Sequence, residues 1–147
     1  MAFRFSLSPV LRLRENLERR EYLALQALHS QTSEVRSDLK ALEQSLLQAR
    51  SRRNSQLLEG MYAAHLQLQL ASETSIQNKR QTLLGKLAEL QGKVKEQTAK
   101  YQQARRQREI LEEMRRQQLQ EYTRAEATRE QQAGDELFLL RRHHRKE

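Results

Sequence analysis

From Leu28 onward the apolar and small residues step alternately by four and three positions, through Thr32, Val35, Leu39, Leu42, Leu46 and Ala49 to Arg53. A seven-residue repeat of this kind keeps one narrow seam of a helix turned toward a partner helix. Upstream the phase drifts through Val10, Leu13, Leu17 and Ala24. Ser8-Pro9 marks the start, because a serine hydroxyl can cap a helix and proline fits the first helical position, where its missing N–H costs nothing. No helix breaker follows until Gly60, which comes after Leu57-Leu58-Glu59 and suits a left-handed C-cap. The pattern predicts a first helix over about residues 9–57 and a turn over about 58–62.

After Gly60 the same alternation restarts. It runs through Tyr62, Leu66, Gln69, Glu73, Ile76 and Arg80, then Leu83, Leu87, Leu90 and Val94, and ends with Gln97, Tyr101, Ala104, Arg108 and Leu111. Beyond Leu111 the strict repeat fails, and Met114, Leu119, Tyr122 and Ala125 form a drifting stripe. Gly134 reads as the end of the ordered helix or a kink, with DELFLLRRHHRKE after it as a final short helix or a frayed tail. The second helix is thus expected over about residues 62–138, with a basic tail at 139–147, the whole 1–147 forming a single coiled-coil rod. Helices joined by a short connection run antiparallel, and at 1.5 Å per residue they would span roughly 75 Å and roughly 115 Å. Folding back at Gly60 sets Leu28 near Gly92 and Val10 near Ile110, so the second helix outruns the first from about residue 111. The fold class is all-α, an antiparallel coiled-coil hairpin whose second helix is the longer. Arg53, Gln69, Glu73, Arg80, Gln97 and Arg108 hold seam positions where Leu or Ile would be most stable; polar seam residues weaken a coiled coil and can set its register. Gly85 and Gly92 fall on the outer face, as drift on an unselected surface or, functionally, as a bend or a place where another backbone comes close.

Composition supports the same class. Hydrophobic residues are 37 % and aromatics 5 %, with no Trp, too few for a compact globular core of 147 residues. With one Pro and four Gly, the chain also lacks the composition of disorder. Cysteine is absent, which removes disulfides and thiolate metal sites. No run approaches the roughly 18 apolar residues of a membrane span, and the apolar stretch of MAFRFSLSPVLRLRE is too short and broken for a signal peptide. A soluble cytoplasmic protein is expected. The formal charge of +8 is spread along the chain and densest at Arg50/Arg52/Arg53, from Lys100 to Arg108, and in RRHHRKE. It reads as solvated helix faces or as attraction to an acidic partner.

Catalysis, cofactor and metal chemistry find no support. Acid–base or nucleophilic work needs groups converging in a water-excluding pocket, which a two-helix hairpin lacks. His29 and His65 are isolated, and His143-His144 are adjacent rather than four apart as helical metal pairs are. A DNA-reading basic helix concentrates Lys and Arg with few acids, whereas here Arg and Glu interleave, and stacking aromatics are scarce. A membrane-surface helix needs a broad apolar face, approached only by the first dozen residues and by ELFLL. The stretch REILEEMRRQQLQEY, residues 108–122, is a strong helix former with few apolar side chains. Glu112–Arg116 has the favourable four-residue spacing, and Arg105–Glu109 and Arg108–Glu112 have it in reverse order.

Four blocks in this order carry a resemblance. FRFSLSPVLRLRENLE at the start, EGMYAAHLQLQLASETSI at the turn, RQREILEEMRRQQLQEY late in the second helix, and DELF at 135–138 together resemble the FliJ family of flagellar export proteins. The resemblance implies a non-enzymatic hairpin similar to the central stalk of rotary ATPases. Such a protein sits in the hexameric ring of the flagellar export ATPase FliI, promotes its assembly and activity, links it to the export gate protein FlhA, and handles export chaperones. No nucleic-acid partner and no membrane insertion are expected from the residues, and the resemblance implies a place in the bacterial cytoplasm at the inner-membrane face of the export apparatus. The end carrying both termini, about residues 3–20 and 105–140, would enter the ring, with Arg12, Arg14, Glu109, Glu112, Arg115, Arg116, Tyr122 and Arg124 as the expected contacts. A gate patch after the turn maps onto Ile76 and Leu83 with Leu42 from the facing helix, residues that fit the internal seam equally well; Ser72 and Lys79 depart from the family pattern there. The stalk of an injectisome and a generic structural coiled coil are the competing readings.

Overall fold

The structure, a computed structural model, describes residues 2–145. It consists of helix α1, Ser8–Glu59, and helix α2, Ala63–His144, packed against each other as an all-α helical hairpin. Between them Gly60 has φ +99°. A side chain there would crowd the following carbonyl oxygen, so α1 ends where its glycine allows the chain to turn. Ser8 opens α1 but does not cap it. Its hydroxyl donates to the Phe5 carbonyl at 2.8 Å and its N–H to the same oxygen at 3.2 Å, while the Leu11 N–H donates to the Leu7 carbonyl at 2.9 Å. The serine fastens the turn leading into the helix instead.

Two compact units emerge, one built on the chain up to Arg19 and from Gln102 onward, the other on Arg20–Tyr101. In the second unit the helices run antiparallel. Arg53 donates to Glu73 at 2.5 Å, Arg80 to Glu43 at 3.4 Å, and Tyr22 meets Tyr101 with ring centroids 5.8 Å apart. Every seam residue expected from Leu28 to Arg53 and from Leu66 to Tyr101 is at least partly covered. Tyr62 is the exception at 88 % exposed; the neighbouring Met61 is covered instead. Tyr22 lies opposite a residue further along α2 than a fold-back centred on Gly60 would set there.

The seam of α1 does not drift upstream. Of the upstream positions expected, Leu17 is partly covered but Ala24, Leu13 and Val10 are exposed, and the covered Leu25, Glu21, Glu18, Arg14 and Leu11 carry the same alternation of three and four toward the N-terminus. Polar residues hide it from a hydrophobic reading. Each of these polar residues has a partner on α2. Gln97 donates to the Glu21 carboxylate and, at 3.1 Å, to its backbone carbonyl. Arg108 donates to Glu18, and Arg14 to Gln107 at 2.6 Å.

In the first unit the overhang of α2 begins later than Leu111. Leu111 and Tyr122 are partly covered, and unbroken exposure starts only at Ala127. Gly134 neither ends nor left-twists the helix, since Gly60 is the one glycine with positive φ among the described residues. Residues 139–144, read as tail, are helical. Arg141, Arg142, His143 and His144 form the last turn, where positive charge stabilises the helix dipole. Lys146 and Glu147 of that tail lie outside the described residues.

A Cβ added at Gly85 or Gly92 meets nothing within 4 Å, so no backbone of this chain approaches there. Gly85→Ala and Gly92→Ala should each stabilise by up to about 1 kcal/mol through helix propensity, read as a higher urea midpoint at unchanged m-value. The seam carboxylate of Glu73, 7 % exposed, sits between Arg53 at 2.5 Å and Arg50 at 3.7 Å. Arg53→Leu should therefore destabilise by roughly 1–3 kcal/mol, because it leaves a covered carboxylate with one distant partner. Arg53→Leu combined with Glu73→Leu should recover or exceed the parent stability, and thermal melts of the two variants check both.

Candidate partner-binding surfaces

The first unit contains all the expected ring contacts. Its distinctive part is the segment before α1, where apolar Phe3, Phe5 and Leu7 alternate with exposed Ala2, Arg4 and Ser6. An extended chain turns alternate residues to one side, and here that side is covered. Phe5 is buried, and Phe3 meets Tyr122 with ring centroids 5.7 Å apart and planes tilted by 51°. Phe3 to Ser6, Ser8 and Arg115 line one shallow hollow. The period-two alternation in FRFSL was legible in the sequence, yet these residues, within the expected end, were not among its named contacts.

Ion pairing divides the expected contacts into two groups. Glu109 accepts from Arg105 at 2.8 Å, and Glu112 from Arg108 at 2.5 Å. Arg108, held between Glu18 and Glu112, is pushed above its usual pKa chiefly by the hydrogen bond to Glu18. Arg116 does not reach Glu112; it pairs with Glu113 at 2.8 Å, because Glu112 is already held by Arg108. That bond, with a second from Gln117, draws Glu113 below the usual carboxylate range. Arg14 is tied to Gln107, and the Tyr122 hydroxyl donates to Glu126. Arg12, Arg115 and Arg124 make no ion pair among the described residues and are the cations open to an acidic partner. The paired groups remain exchangeable, since an exposed pair is worth under about 1 kcal/mol.

The expected gate residues fall in the second unit and are partly covered. Leu42 and Leu83 line one open hollow of about 470 Å³ with Asp38, Ala41, Ser45, Lys79 and Thr82. Ile76 keeps its seam position outside that hollow. The charged rim from Asp38 and Lys79 makes this a shallow mixed surface. Near the turn, Leu57, Leu58, Leu68 and Leu70 are exposed; a hydrophobic repeat does not select them because they lie off the seam. Among the described residues no group of three or more His, Asp or Glu could hold a metal ion, and no helix is long and apolar enough to cross a membrane.

The profile of one protein family, described as Flagellar FliJ protein, matches residues 3–147. No curated protein and no solved structure matches the chain significantly.

The Tyr122–Glu126 hydrogen bond keeps the phenol protonated and raises its pKa above the usual value of 10.0. A raised pKa of this kind contributes stability below the unfolded-state value and loses it as pH climbs through the folded one. Alkaline absorbance titration should show a late-ionising phenol that disappears in Tyr122→Phe and shifts to lower pH in Glu126→Gln.

Proposed function

The chain belongs to the flagellar FliJ family, a non-catalytic component of flagellar type III export, and on that premise we propose that it is a stalk-like cofactor of the export ATPase. It promotes assembly and activity of the hexameric ATPase FliI, links the ring to the gate protein FlhA, and escorts export chaperones, without chemistry of its own. The family decides for the flagellar reading over the injectisome one. The observation that carries the ring contact is the pairing pattern of the first unit. Its surface interleaves acids and bases that bind one another weakly, with Arg12 of α1 and Arg115 and Arg124 of α2 among the cations left over for a partner. A surface that meets successive subunits of a ring needs such exchangeable contacts rather than deep anchors. Leu42, Leu83 and Ile76 supply the gate contact in this proposal, their covered faces serving the seam and their open edges the partner.

The test is ATP hydrolysis by the purified export ATPase, titrated with the chain. Arg115→Glu with Arg124→Glu should leave helicity and melting nearly unchanged, since neither residue has an ion pair to lose. It removes attraction and adds repulsion, together about 1–2 kcal/mol, so half-maximal stimulation should require about tenfold more chain. Unaltered stimulation by this variant would place the contact elsewhere. Parallel loss of fold and stimulation would make the arginines structural.

A further inference from the structure

The segment before α1 brings to α2 an arginine that the ring contact proposed above does not use. Phe3 to Ser6, Ser8 and Arg115 line a hollow of about 420 Å³. It carries two cations, Arg4 and Arg115, and no acid among the described residues that line it. Neither arginine makes an ion pair or a side-chain hydrogen bond among the described residues.

The chain itself accounts for both vacancies of charge. No acidic residue precedes Glu15, so Arg4 has none beside it in the sequence. On a helix an arginine takes a partner three or four residues away. For Arg115 those positions hold Leu111, Glu112, Gln118 and Leu119, and the carboxylate of Glu112 is held by Arg108 at 2.5 Å. Glu113 is held by Arg116 at 2.8 Å. Buried Phe5, and Phe3 against Tyr122 with ring centroids 5.7 Å apart, fix the segment on α2. They keep Arg4 on the same hollow as Arg115, although like charges repel. An anion between the two cations turns that repulsion into attraction, and the chain offers none.

We propose that this hollow receives a carboxylate side chain, Asp or Glu, from an acidic segment of a partner protein. A guanidinium grips a carboxylate through two parallel hydrogen bonds, and two guanidinium groups offer its oxygens donors from both the segment and α2. Ser6 adds a hydroxyl with no partner among the described residues, whereas that of Ser8 is spent on the Phe5 carbonyl at 2.8 Å. The half-buried ring of Phe3 gives an apolar wall to the residue beside the acid. Glu112 and Glu113 stand within one turn of Arg115 and repel a polyanion, which favours a single protein carboxylate over a nucleic acid or an anionic membrane. The hollow does not depend on the export role proposed above, under which the ring supplies the acid.

NMR of the arginine Nε–H groups in the full chain tests it. The probe is the peptide acetyl-Leu-Glu-Glu-Leu-amide, with its Gln-Gln counterpart as the control. The signals of Arg4 and Arg115 should move together along one saturating curve, with a dissociation constant on the order of 1 mM. The signal of Arg36, an exposed arginine of the second unit without an ion pair among the described residues, should stay fixed, and the Gln-Gln peptide should move none of them. Arg4→Gln and Arg115→Gln, each read on the other arginine, should weaken binding about tenfold with unchanged helicity by circular dichroism. Arg36→Gln, the same change of charge at a distance, should weaken it less than about twofold. Signals that stay fixed through about 10 mM peptide, a tenfold margin, or an effect of Arg36→Gln as large as that of Arg4→Gln, would overturn the site. Inorganic phosphate that moves the same signals at about tenfold lower concentration than the peptide would overturn the protein carboxylate in favour of a free anion.

Discussion

Two helices can cover only one narrow seam of each other, and the rest of the structure follows from how that seam is filled. A two-helix arrangement has no third wall, so very few side chains leave water altogether. Among the described residues Phe5, Leu11 and Leu39 are the buried apolar ones, and Thr32 and Glu73 the buried polar ones. With so little apolar surface hidden, the polar residues in the seam must all be satisfied, since a covered group left without a partner costs about 1–3 kcal/mol. The structure meets that demand at most positions, with Arg53 and Arg50 on Glu73, Gln97 on Glu21, Arg108 on Glu18, and Arg14 on Gln107, while the covered Oε1 of Gln69 is left without a partner. Thr32 bonds the Leu28 carbonyl within its own helix. These pairs contribute less stability than leucines would, but they tolerate few alternative registers.

The same constraint shapes the surface. Side chains face outward along two helices in long strips, an arrangement that accords with a non-catalytic family of flagellar export. The segment before α1 adds to this in the first unit. By laying Phe3 and Phe5 over α2 near Tyr122, it covers part of a stretch that would otherwise have been free. The outward surface of REILEEMRRQQLQEY is mostly charged, with Ile110, Met114 and Leu119 exposed among the charges.

The candidate contacts were only partly legible before the structure. Charged residues at four-residue spacing announce ion pairs, and Arg105–Glu109 and Arg108–Glu112 form as spaced. Spacing does not say which of two acids an arginine takes. Arg116 takes Glu113 because Glu18 and Glu112 together hold Arg108, and Glu18 is distant in sequence. The distinction between engaged and open cations, on which the proposed ring contact turns, is thus a tertiary property.

The sequence by itself determined that there are two helices, where they turn, and which residues of α2 face α1 from Leu66 to Leu111. These follow from local causes: helix propensity, a glycine that accepts positive φ, and a seven-residue repeat. The structure decided what those causes leave open. It continued the α1 seam through Arg14, Glu18 and Glu21, positions a hydrophobic count discards because their burial depends on partners found on the other helix. It delayed the overhang of α2 by folding the first residues over it, and kept α2 helical through Gly134 to His144. In each case the deciding energy comes from groups far apart in the chain, or from the sum over a long helix, in which one glycine costs only about 1 kcal/mol.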